Sequence, residues 1–344
     1  MERKLASIRT VKNIKPIDGA DMIELAFVDG WQCVVKKGEF EKGDRGVYFE
    51  IDSFLPIEDR YEFLRNSCLK TIGDTEGFRL RTIKLRKQLS QGLLLPISHF
   101  PELNGEAVGA DVTDLLNISL YEKPIPSELV GHIRGKFPTF IPKTNQNRIQ
   151  NCPQYLTKYR DEVFEVTEKV DGTSMTVYYN NGEFGVCSRN MDLMETDGNK
   201  YWNVARKLGL ESRLRALNLN LAIQGELVGP GIQANRLKLI EHQFMMFDIW
   251  DIDEQSYFTP DDRYRFLQIV NLSDPQIQHV PILSISPQLA SVPSMDTFLE
   301  TAGGYSNVTD GVLREGLVFK SARLINGDVL SFKAISNDYL LKYD

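Results

Sequence analysis

Four prolines interrupt one stretch near the middle of the chain and limit what that stretch can form. They lie within residues 120–143 and are Pro124, Pro126, Pro138 and Pro142. Proline fixes φ and lacks an amide donor, so a long helix or a central strand is excluded there. We therefore predict a linker over residues 119–147, between a first domain of residues 1–118 and a second of residues 148–344. A chain of 344 residues is long enough for two domains with separate cores.

The first domain has the sequence pattern of a small β-barrel. Strand-like runs at residues 23–28 and 31–35 flank the turn signal Asp29-Gly30, and another run follows at residues 46–51. Residues 78–85 and 92–97 indicate a further strand pair. Short strands at this spacing are typical of a barrel.

The densest basic stretch of the chain lies beside this strand pair and contains Lys84, Arg86 and Lys87. Edge strands are commonly charged, so one interpretation is a solvent-exposed barrel edge that is protected from pairing. The other is a surface that contacts the phosphates of a nucleic acid. Residues 84–93 resemble a sequence segment of the N-terminal oligonucleotide-binding (OB-type) modules of some RNA ligases. This resemblance implies the surface that contacts phosphates.

The second domain mixes strands and helices without a regular βαβ alternation, which predicts an α+β fold. Residues 173–179 and 183–188 flank Asn180-Asn181-Gly182, which is a hairpin signal. Further strands are predicted at residues 222–228, 244–252, 316–320 and 329–333. Helices are predicted at residues 199–210, at 211–217 and around 260–269.

One lysine of the second domain stands where it could act as a nucleophile. Lys169 ends a strand-like run and is followed by Val170, Asp171 and Gly172, and the glycine permits a tight turn and close approach of a phosphate. Alone, a KxDG string is more often a solvent-exposed loop. An amine attacks only when it is unprotonated, so we expect a metal and nearby lysines to favour the neutral form.

Five further motifs follow Lys169-Val170-Asp171-Gly172-Thr173 in a fixed order. They are Ser188-Arg189-Asn190, Gly225-Glu226-Leu227-Val228-Gly229, Met246-Phe247-Asp248-Ile249-Trp250, Glu315-Gly316-Leu317-Val318-Phe319-Lys320 and Ser331-Phe332-Lys333. This order resembles the covalent nucleotidyltransferase superfamily of DNA ligases, RNA ligases and mRNA capping enzymes, over about residues 148–344. The resemblance implies that AMP passes from ATP to a lysine and then to a 5′-phosphate end, where a 3′-OH displaces it.

The resemblance also implies roles for individual residues. Lys169 would carry the AMP, and Phe247 would stack on adenine, with a core aromatic as the alternative. The ATP site would consist of Arg148, Glu168, Val170, Arg189, Glu226, Phe247, Lys320 and Lys333. Carboxylates would hold Mg²⁺ or Mn²⁺ directly or through water, with structural salt bridges as the alternative. These carboxylates are Asp171, Glu226 and Glu315.

The order of the domains indicates which members of the superfamily the chain resembles most. DNA ligases and capping enzymes usually carry an OB domain after the last motif, whereas here the predicted barrel precedes Lys169. That order resembles the RNA ligase clade known from Deinococcus and Naegleria. It implies an N-terminal OB-type β-barrel plus a C-terminal nucleotidyltransferase (ATP-grasp-like ligase) domain of antiparallel sheets with flanking helices. One departure is Ser331, which stands where many RNA ligases have a lysine.

The function implied is an ATP-dependent RNA ligase that seals 3′-OH/5′-phosphate breaks in RNA or an RNA-containing nicked duplex. A DNA ligase or a capping-type guanylyltransferase is the alternative. The net charge of −7 argues against non-specific coating of nucleic acid, but it leaves room for a local basic groove.

The remaining features agree with an enzyme in a reducing, intracellular compartment. The four cysteines form no CxxC pair, so neither a zinc site nor a disulfide framework is expected. The charged N-terminus has no apolar run behind it, so we expect neither a signal peptide nor a membrane span. Nothing in the sequence implies an obligate protein partner.

Overall fold

Short antiparallel strands build the N-terminal part of the chain in the computed structural model, which describes residues 3–122, 127–272 and 276–343. Pro124 and Pro126 of the predicted linker lie outside these ranges. The strands are β1 (Ala6–Thr10), β2 (Asn13–Pro16), β3 (Ile23–Val28), β4 (Trp31–Lys36), β5 (Arg45–Phe49), β6 (Ser53–Leu55), β7 (Leu69–Ile72), β8 (Thr75–Arg79), β9 (Thr82–Leu85), β10 (Gln88–Gln91), β11 (Leu93–Pro96) and β12 (Ser119–Leu120). They pair in the orders β1–β5–β11, β2–β3–β4, β12–β6–β8–β7 and β9–β10. The helical turns here are α1 (Arg65–Cys68) and 3₁₀ helices at Asp59–Leu64, Ile97–His99 and Pro101–Leu103.

Alternating side chains of these strands close the barrel around apolar cores. In β4, Trp31, Cys33 and Val35 are buried, whereas Gln32 and Val34 between them are partly exposed. This period of two is the pattern of a strand that turns one face to a core. Strands of this kind therefore supply the apolar cores of the predicted barrel.

The basic stretch of the barrel pairs differently from the prediction. Residues 78–85 and 92–97 do not form one strand pair, because β8 ends at Arg79 and a separate hairpin, β9–β10, follows. Arg86 and Lys87 form the turn of this hairpin with φ values of 47° and 65°. Both values lie in the left-handed region that two-residue hairpin turns require. Neither residue is a glycine or asparagine, so the turn carried no sequence signal.

The C-terminal part of the chain contains two larger sheets with helices packed against them. Its strands are β13 (Ile133–Lys136), β14 (Asn147–Arg148), β15 (Phe164–Lys169), β16 (Thr173–Asn180), β17 (Glu183–Cys187), β18 (Met191–Leu193), β19 (Leu221–Val228), β20 (Gln243–Asp251), β21 (Ser256–Tyr257), β22 (Gln278–His279), β23 (Ile282–Ser286), β24 (Gly316–Ser321) and β25 (Ser331–Ile335). Its α-helices are α2 (Tyr155–Lys158), α3 (Lys200–Lys207), α4 (Leu210–Leu217), α5 (Pro260–Val270), α6 (Met295–Thr301) and α7 (Asn337–Tyr343). 3₁₀ helices lie at Ser127–His132, Ile149–Asn151 and Gln288–Ser291.

The two sheets meet where the predicted nucleophile lies. One sheet has the order β13–β18–β17–β16–β19–β20–β21, with β22 also paired to β20, and the other has the order β14–β25–β24–β15–β23. Strand β15 belongs to the second sheet and β16 to the first, so residues 170–172 carry the chain from one to the other. Most pairings are antiparallel, which confirms the predicted α+β class. In the described part of the chain, no helix is both long and apolar enough to cross a membrane.

The predicted linker contains two short strands that pair with different parts of the chain. Strand β12 pairs with β6 of the barrel, and β13 pairs with β18 of the C-terminal sheet. The domain bounds at residues 118 and 148 stay predictions.

The barrel also contacts the C-terminal part directly. Asn151 Nδ2 donates to Glu50 Oε1 at 3.0 Å. Leu89 of the barrel packs in one apolar cluster with Ile335 and Leu340. The barrel is therefore attached close to the end of β25.

Candidate active site

A cavity of about 570 Å³ opens between the two C-terminal sheets, with barrel residues on one side. Its volume falls in the range of pockets that hold ligands of nucleotide size. Ten of the predicted site residues line it, namely Glu168, Lys169, Val170, Asp171, Arg189, Glu226, Phe247, Glu315, Lys320 and Lys333. Barrel and linker residues that also line it include Arg3, Asp52, Tyr121 and Lys143.

Lys169 is the last residue of β15, and its side chain points into this cavity. It pairs with Gly316 of β24, and its Nζ donates to Oε2 of Glu315 at 2.6 Å. The turn after it depends on a glycine, because a Cβ on Gly172 would lie 2.5 Å from the carbonyl oxygen of Leu227. The glycine thus lets the turn lie directly against β19.

The carboxylates around Lys169 set the pKa of its amine in the protein alone. Burial lowers the pKa of its amine, but the carboxylates of Glu315 and Glu226 and, less strongly, Asp171 outweigh burial and leave the pKa raised. The strongest of these carboxylates, Glu315, is also hydrogen-bonded to the amine. The predicted neutral amine requires a bound metal as well as nearby lysines, so it stays a prediction.

Glu226 interrupts the apolar strand β19 and faces the same cavity. Burial, together with the charges of Glu315 and Asp171, raises its pKa to about 8, although Lys169 and Arg189 act in the opposite direction. Burial and like charges both disfavour the charged form of this carboxyl group. A cation bound beside it would stabilise that charged form.

Asp171 has a cationic partner that the motif did not predict. Its Oδ2 accepts from Nη1 of Arg236 at 2.9 Å, and Arg236 lies in the loop between β19 and β20. The Asp171 side chain is 15% exposed, so it remains open to the cavity.

A break in strand register directs Phe247 into the cavity. In the pairing of β19 with β20, Gln224 lies opposite Asp248 but Gly225 lies opposite Met246, so Phe247 is an extra residue. Such a bulge re-aims side chains and is common beside active sites. The Phe247 ring is half-buried, and Nζ of Lys320 lies 5.3 Å from its centre.

The two lysines of the last strands differ in their partners. Lys320 Nζ donates to Oδ1 of Asp248 at 2.7 Å and to the carbonyl oxygen of Phe247. Burial lowers the pKa of Lys320 to about 8. Burial, with the cations of Lys169 and Arg148, lowers the pKa of Lys333 to about 7. Among the described residues Lys333 has no ion-pair partner, which leaves its amine available.

Comparisons with known proteins identify both parts of the chain. A family model for RNA ligases matches residues 162–335, and one for an OB-fold domain matches residues 5–97. The chain belongs to the RNA ligase family. This confirms the predicted ligase and its N-terminal OB-type barrel.

Solved structures of RNA ligase from Naegleria gruberi are similar to this ligase over its whole length. A structure with PPi is 48% identical, covers 99% of both chains and has a TM-score of 0.85. A lysine-substituted form with ATP and Mn and a glutamate-substituted form with AMP and Mn have the same identity and coverage, with TM-scores of 0.86. These complexes confirm the predicted cofactor classes, ATP and a divalent metal. A comparison with curated proteins gave no match.

Four predicted residues of the ligase do not line the cavity. Arg148 lies on β14 beside Lys333, with its guanidinium 5.5 Å from the ring centre of Trp31 in the barrel. Its Nη1 is buried and, among the described residues, has no hydrogen-bond partner. Lys84, Arg86 and Lys87 are exposed on the β9–β10 hairpin, away from the cavity.

Glu168 lines the cavity, but its carboxylate is already engaged. It accepts from the hydroxyl of Ser306 and from the backbone N–H of Asn307, the latter at 2.7 Å. Burial raises its pKa. This geometry indicates that Glu168 fixes the loop over the end of β15.

Several supporting residues were missed by the sequence prediction. Arg263 of α5 is fully buried, donates to the Phe247 carbonyl oxygen at 2.6 Å and pairs with Glu165. Asp248, which holds Lys320, was quoted within a motif but given no role. An arginine at the start of an otherwise amphipathic helix was the available signal for Arg263, since buried arginines need such partners.

Proposed function

We propose that this RNA ligase transfers AMP from ATP to Nζ of Lys169, passes it to a 5′-phosphate end, and seals 3′-OH/5′-phosphate breaks. The substrate is RNA or an RNA-containing nicked duplex. The observation that carries the proposal is the Lys169 amine in a nucleotide-sized cavity, hydrogen-bonded to Glu315 and facing Glu226. These are the groups that lysine adenylylation requires: a nucleophile, an adjacent acceptor and a charged pocket.

In the first step the Lys169 nitrogen attacks the α-phosphorus of ATP. A P–N bond forms, the bond between the α-phosphorus and its bridging oxygen breaks, and pyrophosphate leaves. The ammonium must lose one proton before it can attack, and Glu315, at 2.6 Å, is within reach to accept it. The 5′-phosphate oxygen then attacks the same phosphorus and frees the amine, and a 3′-OH finally displaces AMP from the adenylylated end.

A divalent metal fits the carboxylates of this cavity. Asp171, Glu226 and Glu315 offer the oxygen ligands that Mg²⁺ and Mn²⁺ prefer. When bound, the ion would neutralise negative charge on the phosphates and on these carboxylates. Within the described ranges, no three His, Cys, Asp or Glu side chains converge as a complete metal cage. Water or ATP oxygens would therefore supply the remaining ligands, as is usual for Mg²⁺.

The other cavity residues divide into nucleotide and phosphate contacts. Phe247, aimed by its bulge, stacks on adenine. Lys333 contacts the α-phosphate, because its side chain lines the cavity and forms no ion pair among the described residues. Lys320 is held by Asp248 and supports the Phe247 bulge, so its predicted phosphate contact is the weaker one. Arg189 binds the ribose or the incoming 5′-phosphate, and Arg148 the outer phosphates of ATP.

The barrel binds the nucleic acid. Lys84, Arg86 and Lys87 form an exposed basic hairpin that contacts phosphates of the duplex or of the 3′-OH strand. The purified chain acts without a protein partner. An intracellular location, expected from four unpaired cysteines that the structure leaves free, stays a prediction.

Nucleotide labelling and nick sealing test this function together. The protein is incubated with labelled ATP or labelled GTP, and then with four nicked duplexes that carry RNA or DNA on either side of the break. We expect a covalent adduct from ATP and sealing of duplexes whose 3′-OH strand is RNA. An adduct from GTP alone would contradict the ligase chemistry, and sealing only of all-DNA nicks would contradict the RNA substrate.

A further inference from the structure

A single loop holds the turn that follows Lys169. This clamp loop, residues 229–242, connects β19 to β20. Gln233 Nε2 donates to the carbonyl oxygen of Gly172 at 3.2 Å, and Arg236 Nη1 donates to Oδ2 of Asp171 at 2.9 Å. Leu237 packs in the same apolar cluster as Val170. All three residues between the nucleophile and β16 therefore contact one loop.

The backbone of the clamp loop is strained in a way that suggests function. Gln233, Asn235 and Lys238 have φ values of 47°, 44° and 55°, in the left-handed region that residues other than glycine rarely adopt. Such conformations persist where surrounding contacts fix them, and they cluster at functional sites. Here the Asn235 side chain bonds twice to the backbone of Leu239, and the Thr309 hydroxyl donates to the Leu237 carbonyl oxygen at 2.8 Å.

The C-terminal helix in turn holds Arg236. Its Nη1 also donates to the Tyr339 hydroxyl at 2.8 Å, and its Nη2 donates to the Tyr343 carbonyl oxygen at 3.2 Å. The guanidinium lies 5.5 and 5.2 Å from the ring centres of these tyrosines. A planar guanidinium suits this set of acceptors, whereas a lysine could not reach all of them. Helix α7 is itself tied to the barrel, because Gln91 Nε2 donates to Oδ1 of Asn337 at 3.3 Å.

We propose that Arg236 is a positioning residue for AMP transfer: it fixes the Asp171 carboxylate and the turn behind Lys169, and Tyr339 of α7 fixes Arg236. The inference rests on the proposed function. Arg236 acts through Asp171 and does not line the cavity. A pair that only stabilised the fold would change how many molecules are active, but not how fast each active molecule reacts.

Single-turnover adenylylation of the full chain separates these roles. Wild type, Arg236→Gln, Arg236→Lys and Tyr339→Phe are mixed with saturating labelled ATP, and the rate constant and amplitude of Lys169–AMP formation are measured. We expect Arg236→Gln to lower the rate constant by about 10- to 100-fold at unchanged amplitude, since small misplacements near a reacting group have effects of this size. Arg236→Lys should recover part of the rate, and Tyr339→Phe should show a smaller loss.

Hydrogen exchange gives a second readout that does not depend on activity. The peptide that covers residues 170–173 should exchange faster in Arg236→Gln than in wild type. Arg206→Gln is the matched control, because Arg206 is exposed on α3 and pairs only with surface groups among the described residues. An unchanged rate constant in Arg236→Gln, with or without a loss of amplitude, would overturn the proposal. If wild type and Arg206→Gln also formed no adduct, the proposed function itself would fail.

Discussion

The ligase carries two sets of positive charges that differ in burial. Lys169, Lys320 and Lys333 line a cavity between two sheets, whereas the barrel hairpin exposes Lys84, Arg86 and Lys87 to solvent. Buried amines exchange water for neighbouring protein charges, so their pKa values can be shifted in either direction. Exposed positive charges can attract phosphates over longer distances. In the proposed function, positive charges therefore serve the chemistry in the cavity and the attraction of nucleic acid on the barrel.

The three cavity lysines have different pKa values because their surroundings differ. Lys169 has its pKa raised by three nearby carboxylates, whereas burial lowers the pKa of Lys320 to about 8 and that of Lys333 to about 7. Lys320 has one carboxylate partner, Asp248, and Lys333 has none among the described residues. The pKa of each lysine therefore follows the balance between burial and the charges around it.

Replacing Lys169, the proposed nucleophile, should have the largest effect. Lys169→Ala should fold but form no protein–AMP adduct with labelled ATP, because no other amine is expected to take its place. Lys207→Ala, on the exposed face of α3, is the control and should label like wild type. Equal labelling of Lys169→Ala and wild type would place the reactive amine elsewhere.

Removing the predicted adenine contact should have the next largest effect. Phe247→Ala deletes a ring whose stacking on a base is worth about 1–3 kcal/mol, so the KM for ATP in adenylylation should rise roughly 5- to 150-fold. Phe247→Tyr keeps an aromatic face and should stay close to wild type. If Phe247→Ala lowered the melting temperature but left this KM unchanged, the ring would be a core aromatic only.

The exposed basic residues of the hairpin should act in nick sealing and not in adenylylation. Replacing Lys84, Arg86 and Lys87 by alanine should raise the KM for nicked duplex about tenfold and make its dependence on salt shallower, because phosphate contacts release counterions. Adenylylation should remain close to the wild-type rate. Replacing Lys36, Lys37 and Lys42, which are also exposed on the barrel, removes the same charge and is the control. Equal loss of both steps in the first variant would mean that the hairpin supports folding.

The residues that line the cavity could largely be predicted from the order of the motifs. Lys169, Glu226 and Phe247 stand in motifs whose strands were predicted from short apolar runs, and β19 and β20 confirm those strands. The residues that hold them could not be predicted. Arg236 lies 65 positions from Asp171, and its partner Tyr339 lies 103 positions beyond it, so only the folded chain brings them together.

Backbone details were equally hidden from the sequence. The bulge at Phe247 depends on the pairing of β19 with β20, and the left-handed turn at Arg86 and Lys87 uses residues that seldom form such turns. Helices α6 and α7 are short, and their sequences gave no clear amphipathic signal before their packing was known.

The smallest predicted effect concerns the stability of the fold and depends on Lys333, which has the lowest pKa of the three cavity lysines. The pKa of Lys333 is lowered from 10.5 to about 7 in the folded protein. Between these values the unfolded chain binds one more proton, so a rise in pH through this window stabilises the folded state. Lys333→Met removes a buried charge, and its free energy of unfolding should therefore exceed that of wild type below pH 7, with the difference shrinking as the pH approaches about 10. Denaturant titrations of both proteins across this range measure the difference, with exposed Lys70→Met as the control. If Lys333→Met had a lower free energy of unfolding than wild type below pH 7, the folded protein would stabilise the charged amine. Burial of Lys333 would then not disfavour its charge.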